Sequence, residues 1–194
     1  PPVPSTVKTG AAVGDNGTMV VLHEIATGPT SSELRWKQQT LPVATNLRGV
    51  HFPQDHQTGW AVGDDGTILK FAWIPPADPN NPPDPTIFNY TVTNQSVGGT
   101  LDFYDVWFLD ASTGYVVGEA GTVYRTTNGG ATWLLISGGS LNHLNATDFS
   151  VDGLSGIAVG EAGVVARTLD GGESWSTLNS GLAGDLIFDL VVVR

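Results

Sequence analysis

The sequence predicts an all-β protein, a four-bladed β-propeller made of four-stranded antiparallel blades. Three observations carry this. First, the motif [AV]-V-G-[DE]-x-G-[TV] occurs four times, as AVGDNGT from Ala12, AVGDDGT from Ala61, VVGEAGT from Val116 and AVGEAGV from Ala158. The steps between the leading glycines run from 42 residues (118 to 160) to 55 (63 to 118), too long for one hairpin and suited to a four-stranded unit. Second, an apolar-x-x-apolar-x-apolar spacing precedes the later copies. Third, the two ends of the chain carry complementary parts of one repeat.

Within each copy a short apolar run ends at the motif, an x-Gly pair reverses the chain, and a second apolar run follows. Asn16-Gly17 and Asp65-Gly66 are pairs that a two-residue hairpin prefers, because both positions need positive φ. These runs are strands B and C. Strand A lies upstream, with Leu47, Val50 and Phe52 in one copy, Phe103, Val106 and Phe108 in the next, then Leu144, Thr147 and Phe149. Strand D carries Trp36, the Phe88/Tyr90 region, Trp133 and Trp175. The first copy has no strand A before it, whereas Ile187, Leu190 and Val192 form an orphan strand A at the other end. If that segment joins the strands near Ala11 to Thr40, the ring closes through its last strand and two sheet edges disappear. The expected blades are then 11–40 with 186–193, 46–94, 102–137 and 143–179, all in a single domain 1–194. A portion of a larger ring and a ring shared by two chains are the rival readings of the same ends.

Composition narrows the role. The chain has 194 residues, 40% of them hydrophobic, with 25 glycines, which suits β structure with many tight turns. With 8 lysines and arginines against 19 acids the formal net charge is -11, a field that repels nucleic acid and anionic lipid. Without cysteine there is no thiolate chemistry. No apolar run reaches the roughly 20 residues of a membrane-spanning helix, so direct membrane insertion is not expected. Low lysine with abundant Gly, Thr, Ser and Asn fits an extracytoplasmic protein (periplasmic, lumenal or secreted).

Thr126-x-Asn128-x-Gly130-x-Thr132-Trp133 and Thr168-x-Asp170-x-Gly172-x-Ser174-Trp175 resemble the Asp-box, or BNR, repeat. Together with GWAVGDDGTI from Gly59 they resemble most the photosystem II stability and assembly factor family of propellers. The resemblance implies a non-enzymatic accessory or assembly subunit that binds protein, peripheral to a photosynthetic membrane complex. Four repeats and 8 cations depart from the larger ring and basic surface of that family. In the box, the Asp or Asn is expected to fix the C–D turn by accepting backbone N–H bonds, and the Trp to wedge between blades. The box is lost from blade two, where IPPADPNNPPDPT runs from Ile74 to Thr86.

Asp-box propellers include sialidases, which need an arginine cluster, a Tyr–Glu pair and an acid. Arg125 and Arg167 hold one repeat position, so the arginines follow the repeat and not a substrate. His23, His51, His56 and His143 lack metal-ligand spacing. The expectation is no catalytic residue, no metal and no cofactor. Two regions are nominated for a protein partner. One is the mouth where D–A connections meet, with Asn46, Arg48, Asp102, His143 and Asp185. The other is the proline arm, with Pro75, Pro76, Pro82 and Pro83. Asp15, Asp64, Glu119 and Glu161, one per repeat, share the face of the mouth and are read as hydrophilic turn residues. The alternative is a carbohydrate-binding or adhesion module with Trp60, Trp73 and Trp107 stacked on sugar; an exposed Trp row would favour it, and buried tryptophans the protein-binding scaffold.

Overall fold

Each glycine motif folds as a tight hairpin of one geometry. Asn16, Asp65, Ala120 and Ala162 have φ of 54, 56, 53 and 53°, and the glycines that follow have 67, 68, 68 and 68°. The N–H two residues past each pair's start closes on the acid before it, as in Thr67 N to Asp64 O at 3.1 Å and Val164 N to Glu161 O at 3.1 Å. Two successive residues with positive φ make a type I′ turn, whose twist matches antiparallel strands. Ala is a poor occupant of that conformation, by about 1 kcal/mol, and Asn a good one. Ala120→Asn and Ala162→Asn, both at exposed positions, are therefore expected to stabilise the fold by roughly 0.5–1 kcal/mol each, read as a rise in the urea midpoint.

In this computed structural model, residues 10–28, 31–39, 41–53, 57–74 and 90–192 are described. They form four antiparallel sheets. The first is β1 (Gly10–Gly14), β2 (Thr18–Gly28) and β3 (Ser31–Gln39). The second is β4 (Leu47–His51), β5 (Thr58–Gly63), β6 (Ile68–Trp73) and β7 (Tyr90–Asn94). The third is β8 (Phe103–Phe108), β9 (Gly114–Gly118), β10 (Thr122–Thr126) and β11 (Leu134–Ser137). The fourth is β12 (Leu144–Phe149), β13 (Gly156–Gly160), β14 (Val165–Thr168) and β15 (Ser176–Leu178). In each, consecutive strands are neighbours, an up-and-down order consistent with propeller blades.

The apolar-x-x-apolar-x-apolar spacing has a local cause. The pairing register of strand A, the inner strand of a blade (β4, β8 and β12), slips by one residue at Leu47/Gly49, Phe103/Asp105 and Leu144/Ala146. The extra residue of such a bulge breaks the period of two and re-aims its own side chain. That residue is Arg48, Tyr104 or Asn145. The leading glycine of the motif also has a steric reason. At Gly63, Gly118 and Gly160 a Cβ would run into the carbonyl oxygen of Asn46, Asp102 and His143 respectively, where the inner strand begins. Gly14 is different, for nothing lies within 4 Å of its would-be Cβ.

Sheets pack face to face, and each junction is an apolar layer. Met19, Leu47, Ala61 and Phe71 join the first and second sheets. Trp60, Ile68, Phe103 and Phe108 join the second and third. Trp107, Tyr115, Phe149 and Trp175 join the third and fourth. Among the described residues no such layer joins the fourth sheet to the first. Ring closure by the last strand is not shown: among the described residues β1 pairs with β2, and Ile187 to Val192 form no strand. The segment lies against the fourth sheet, with Ile187 N donating to Gly160 O at 3.1 Å and Asn145 Nδ2 to Ile187 O at 2.8 Å.

Candidate partner-binding face

In an up-and-down sheet the B–C turns and the D–A connections lie at one edge, and the A–B and C–D connections at the other. The nominated mouth is the first edge. There the residue that opens each inner strand makes the same two sets of contacts. Its carbonyl accepts an N–H from its own sheet: Asp64 N to Asn46 O, Glu119 N to Asp102 O and Glu161 N to His143 O, each at 3.0 Å. Its side chain accepts the turn N–H of the preceding sheet: Asn16 N to Asn46 Oδ1 at 3.1 Å, Asp65 N to Asp102 Oδ1 at 3.1 Å, and Ala120 N to His143 Nδ1 at 2.9 Å. Asn46, Asp102 and His143 are thus brought to equivalent places, each clasping two adjacent sheets. Asp185 reaches its neighbour by its backbone, its carbonyl accepting Gly163 N at 2.7 Å.

The acids of the turns complete this network. Asp64 accepts from Asn46 Nδ2 at 2.8 Å, and Glu119 accepts from Asp102 N at 3.0 Å. Glu161 faces His143 Nε2 at 3.7 Å. Because His143 Nδ1 accepts the Ala120 N–H, its proton sits on Nε2 and points toward Glu161. Arg48 bridges two sheets, with Nε 2.5 Å from Asp64 and Nη2 3.3 Å from Asp102, and its side chain is 41% exposed. The guanidinium lies 5.3 Å from the centre of the Tyr104 ring, and that ring meets His143 edge-on at 6.0 Å. The result is a polar surface held in place by hydrogen bonds, with one accessible guanidinium on an aromatic platform. It can bind through charge and stacking. Asp64, Asp102 and Glu119 each accept hydrogen bonds there.

Tyr104 was not among the nominated residues, although it is a bulged inner-strand residue like Arg48. The i, i+3, i+5 apolar spacing that marks the bulge was the signal for it. Pro75, Pro76, Pro82 and Pro83 lie outside the described residues. At the opposite edge the two Asp-boxes are closed turns. Thr126 Oγ1 accepts Gly130 N at 2.9 Å, and Asn128 Oδ1 accepts Thr132 N at 2.9 Å. Thr168 Oγ1 accepts Gly172 N at 2.9 Å, and Asp170 Oδ1 accepts Ser174 N at 3.0 Å. The Ser174 hydroxyl, with the Ser174 N–H and the Thr168 hydroxyl, draws the Asp170 carboxyl down to about 2. Trp133 meets Phe108 edge-on at 5.9 Å and Trp175 meets Phe149 at 5.7 Å. Tyr115 donates across to Gly171 O of the next sheet at 2.6 Å, and Lys70 to Gly129 O at 3.1 Å.

The tryptophans proposed for sugar do not form an exposed row. Trp60 is fully buried and stacks on Phe108 with ring centres 3.4 Å apart; Trp107 is 7% exposed and stacks on Phe149 at 4.8 Å. Of these three, Trp73 is the exposed one.

Among known proteins, the model of a family described as "Photosynthesis system II assembly factor YCF48" matches residues 90–187. No curated protein matches the chain. Of solved structures, "YCF48 bound to D1 peptide" aligns with a TM-score of 0.53 at 20% identity, over 80% of this chain and 46% of that one. YCF48 from Cyanidioschyzon merolae aligns with a TM-score of 0.54 at 16% identity, over 82% of this chain and 49% of that one. The chain spans about half the length of these structures, and at such identity they report the fold.

Proposed function

The chain belongs to the photosystem II assembly factor family of YCF48, and from that premise we propose that it binds a polypeptide of a photosystem II complex during assembly, on the extracytoplasmic side of the membrane, and catalyses nothing. The family match over 90–187, which spans the third and fourth sheets, carries this reading. One solved relative is described as bound to a D1 peptide, which supports a polypeptide ligand. The scaffold suits that role, because its loops stand on sheets clasped to one another and so need little ordering when a partner arrives.

Within this reading the Arg48–Tyr104 surface is the contact. A guanidinium over an aromatic ring offers a planar, charged place for a carboxylate or a carbonyl of the partner, and the surrounding acids select against anionic surfaces. The proline arm is the second nomination. The test is capture of photosystem II subunits from solubilised photosynthetic membranes, together with direct titration of labelled D1 peptides. Arg48→Glu with Tyr104→Ala is expected to lower peptide affinity at least tenfold, about 1.4 kcal/mol, while a Gly-Ser hairpin in place of residues 74–86 leaves it unchanged. The reverse pattern moves the site to the arm. Undiminished binding by both variants removes both nominations, and failure of the wild type to bind any subunit removes the assembly role.

A further inference from the structure

The clasps that hold neighbouring sheets at the mouth follow one plan and use different side chains. Asn46, Asp102 and His143 accept the turn N–H of Asn16, Asp65 and Ala120 at 3.1, 3.1 and 2.9 Å. An amide oxygen accepts at every pH, and a carboxyl group keeps an acceptor oxygen in either charge state. Imidazole differs, because its charge ordinarily changes between about pH 5 and 8. His143 accepts through Nδ1, the atom that protonation turns into a donor. A proton there and the Ala120 bond exclude one another, since two N–H groups would point at each other.

The surroundings draw a protonated ring elsewhere. Glu161, on the turn of the fourth sheet, stands 3.7 Å from His143 Nε2. From the third sheet the turn that holds Ala120 carries Glu119, which accepts Asp102 N at 3.0 Å. The bulge of β8 brings Tyr104, its ring edge-on to the imidazole with centres 6.0 Å apart. Burial raises the Tyr104 phenol above its ordinary value; the charges of Glu119, Asp102 and Glu161 add to the rise, and Arg48 opposes it. Deeper between the same two sheets Asp105 of β8 accepts Thr147 N of β12 at 2.8 Å, and the charges of Asp189 and Asp148 act on it. An imidazolium at the mouth is thus drawn away from the Ala120 N–H and toward Glu161.

We propose that His143 is a proton-operated clasp. Its protonation frees the Ala120 turn of the third sheet and turns the imidazole toward Glu161. That loosens the Tyr104 ring and the Arg48 guanidinium it carries, so the mouth binds its polypeptide more weakly in acid. The statement about the polypeptide rests on the function proposed above, whereas the release of the clasp does not. The clasped state excludes the proton and the released state takes it, so falling pH favours release. A surface that is ordered only on binding gives up part of its affinity to that ordering.

Amide hydrogen exchange of the free, full chain tests the clasp, each rate taken relative to that of an unstructured amide at the same pH. Between about pH 8 and pH 5 the protection of Ala120 is expected to fall roughly fivefold or more, while the amides of Asn16 and Asp65 keep theirs. His143→Asn places at the third clasp the side chain that serves at the first, where Asn46 Oδ1 accepts Asn16 N and Nδ2 donates to Asp64 at 2.8 Å. In this variant Ala120 is expected to be protected equally at both pH values. Asp105 is retained in it, so any change owed to that carboxyl survives there and is subtracted. Titration with the labelled peptides described above reads the surface at the same two pH values. Wild-type affinity is expected to drop roughly fivefold or more in acid, and that of His143→Asn to change less than about twofold. Unchanged Ala120 protection in the wild type, or an equal fall in His143→Asn, overturns the clasp. A fall in protection with no loss of wild-type peptide affinity overturns the link to the surface. A wild type that binds no peptide at either pH removes the function proposed above, and the exchange result still decides the clasp.

Discussion

Trp60→Ala is expected to cost about 3–5 kcal/mol, the range for truncating a large buried aromatic. Trp60 is on β5 of the second sheet and has no exposed surface. It stacks on Phe108 of the third sheet, its indole Nε1 donates to Gln95 Oε1 at 3.2 Å, and Lys70 Nζ stands 5.2 Å from its ring centre. Truncation leaves a cavity between two sheets and takes the indole donor from Gln95 Oε1, while Gln95 Nε2 keeps its bond to Gly129 O. Trp60→Phe keeps the stacked ring and loses the hydrogen bond, so it is expected to cost about half as much. Urea unfolding of both variants measures the difference. Equal, small effects in both would show that the second junction does not depend on this ring.

Stability is expected to fall as pH rises from about 4 to about 7, by up to about 4 kcal/mol in total, through Asp105. Desolvation lifts its carboxyl from 3.8 to about 7, and the like charges of Asp189 and Asp148 add to the rise. The backbone N–H groups of Thr147 and Val106, each 2.8 Å from an Asp105 oxygen, oppose it. The sign follows from proton binding. Below 3.8 both states are protonated and the full stability is present. Between the two pKa values the folded chain holds a proton that the unfolded chain has lost, so each unit of pH removes up to about 1.4 kcal/mol. Above about 7 the effect is spent. Asp170, drawn down to about 2, acts in the opposite sense at pH below this window. Asp105→Asn is expected to flatten the dependence, as urea midpoints across the interval would show. A slope that survives in the variant places the titration elsewhere.

The repeat was legible because glycine and apolar spacing record backbone geometry. Gly63, Gly118 and Gly160 are glycines for want of space, and Asn16-Gly17 and Asp65-Gly66 name their turn type. The four sheets follow from those marks. The purpose of Asn46, Asp102 and His143 was not legible, although their place at one edge was. An amide, a carboxylate and an imidazole do the same work there, accepting one N–H from the neighbouring turn, so no shared residue type marks the position. Arg48 and Tyr104 looked unrelated because a bulge, and not sequence proximity, puts the guanidinium over the ring. The expectation of a closed ring rests on spacing and on the complementary ends of the chain. Spacing states what kind of strand Ile187 to Val192 resembles, and says nothing of which sheet receives it.

The residue that opens each inner strand clasps its own sheet with its carbonyl and the preceding turn with its side chain. Each repeat therefore carries one half of a joint and finds the other half in its predecessor. Energetically the molecule is a nearest-neighbour array, in which every unit adds its own folding term and a single coupling to the unit before it. Such an array can lengthen by tandem duplication of one gene segment without redesign, since the added copy arrives with its half-joint already in place. Loss of a copy likewise removes one coupling and leaves the rest intact. A change in the number of units then needs no new joint chemistry, since Asn, Asp and His all serve at the turn-capping position within this one chain.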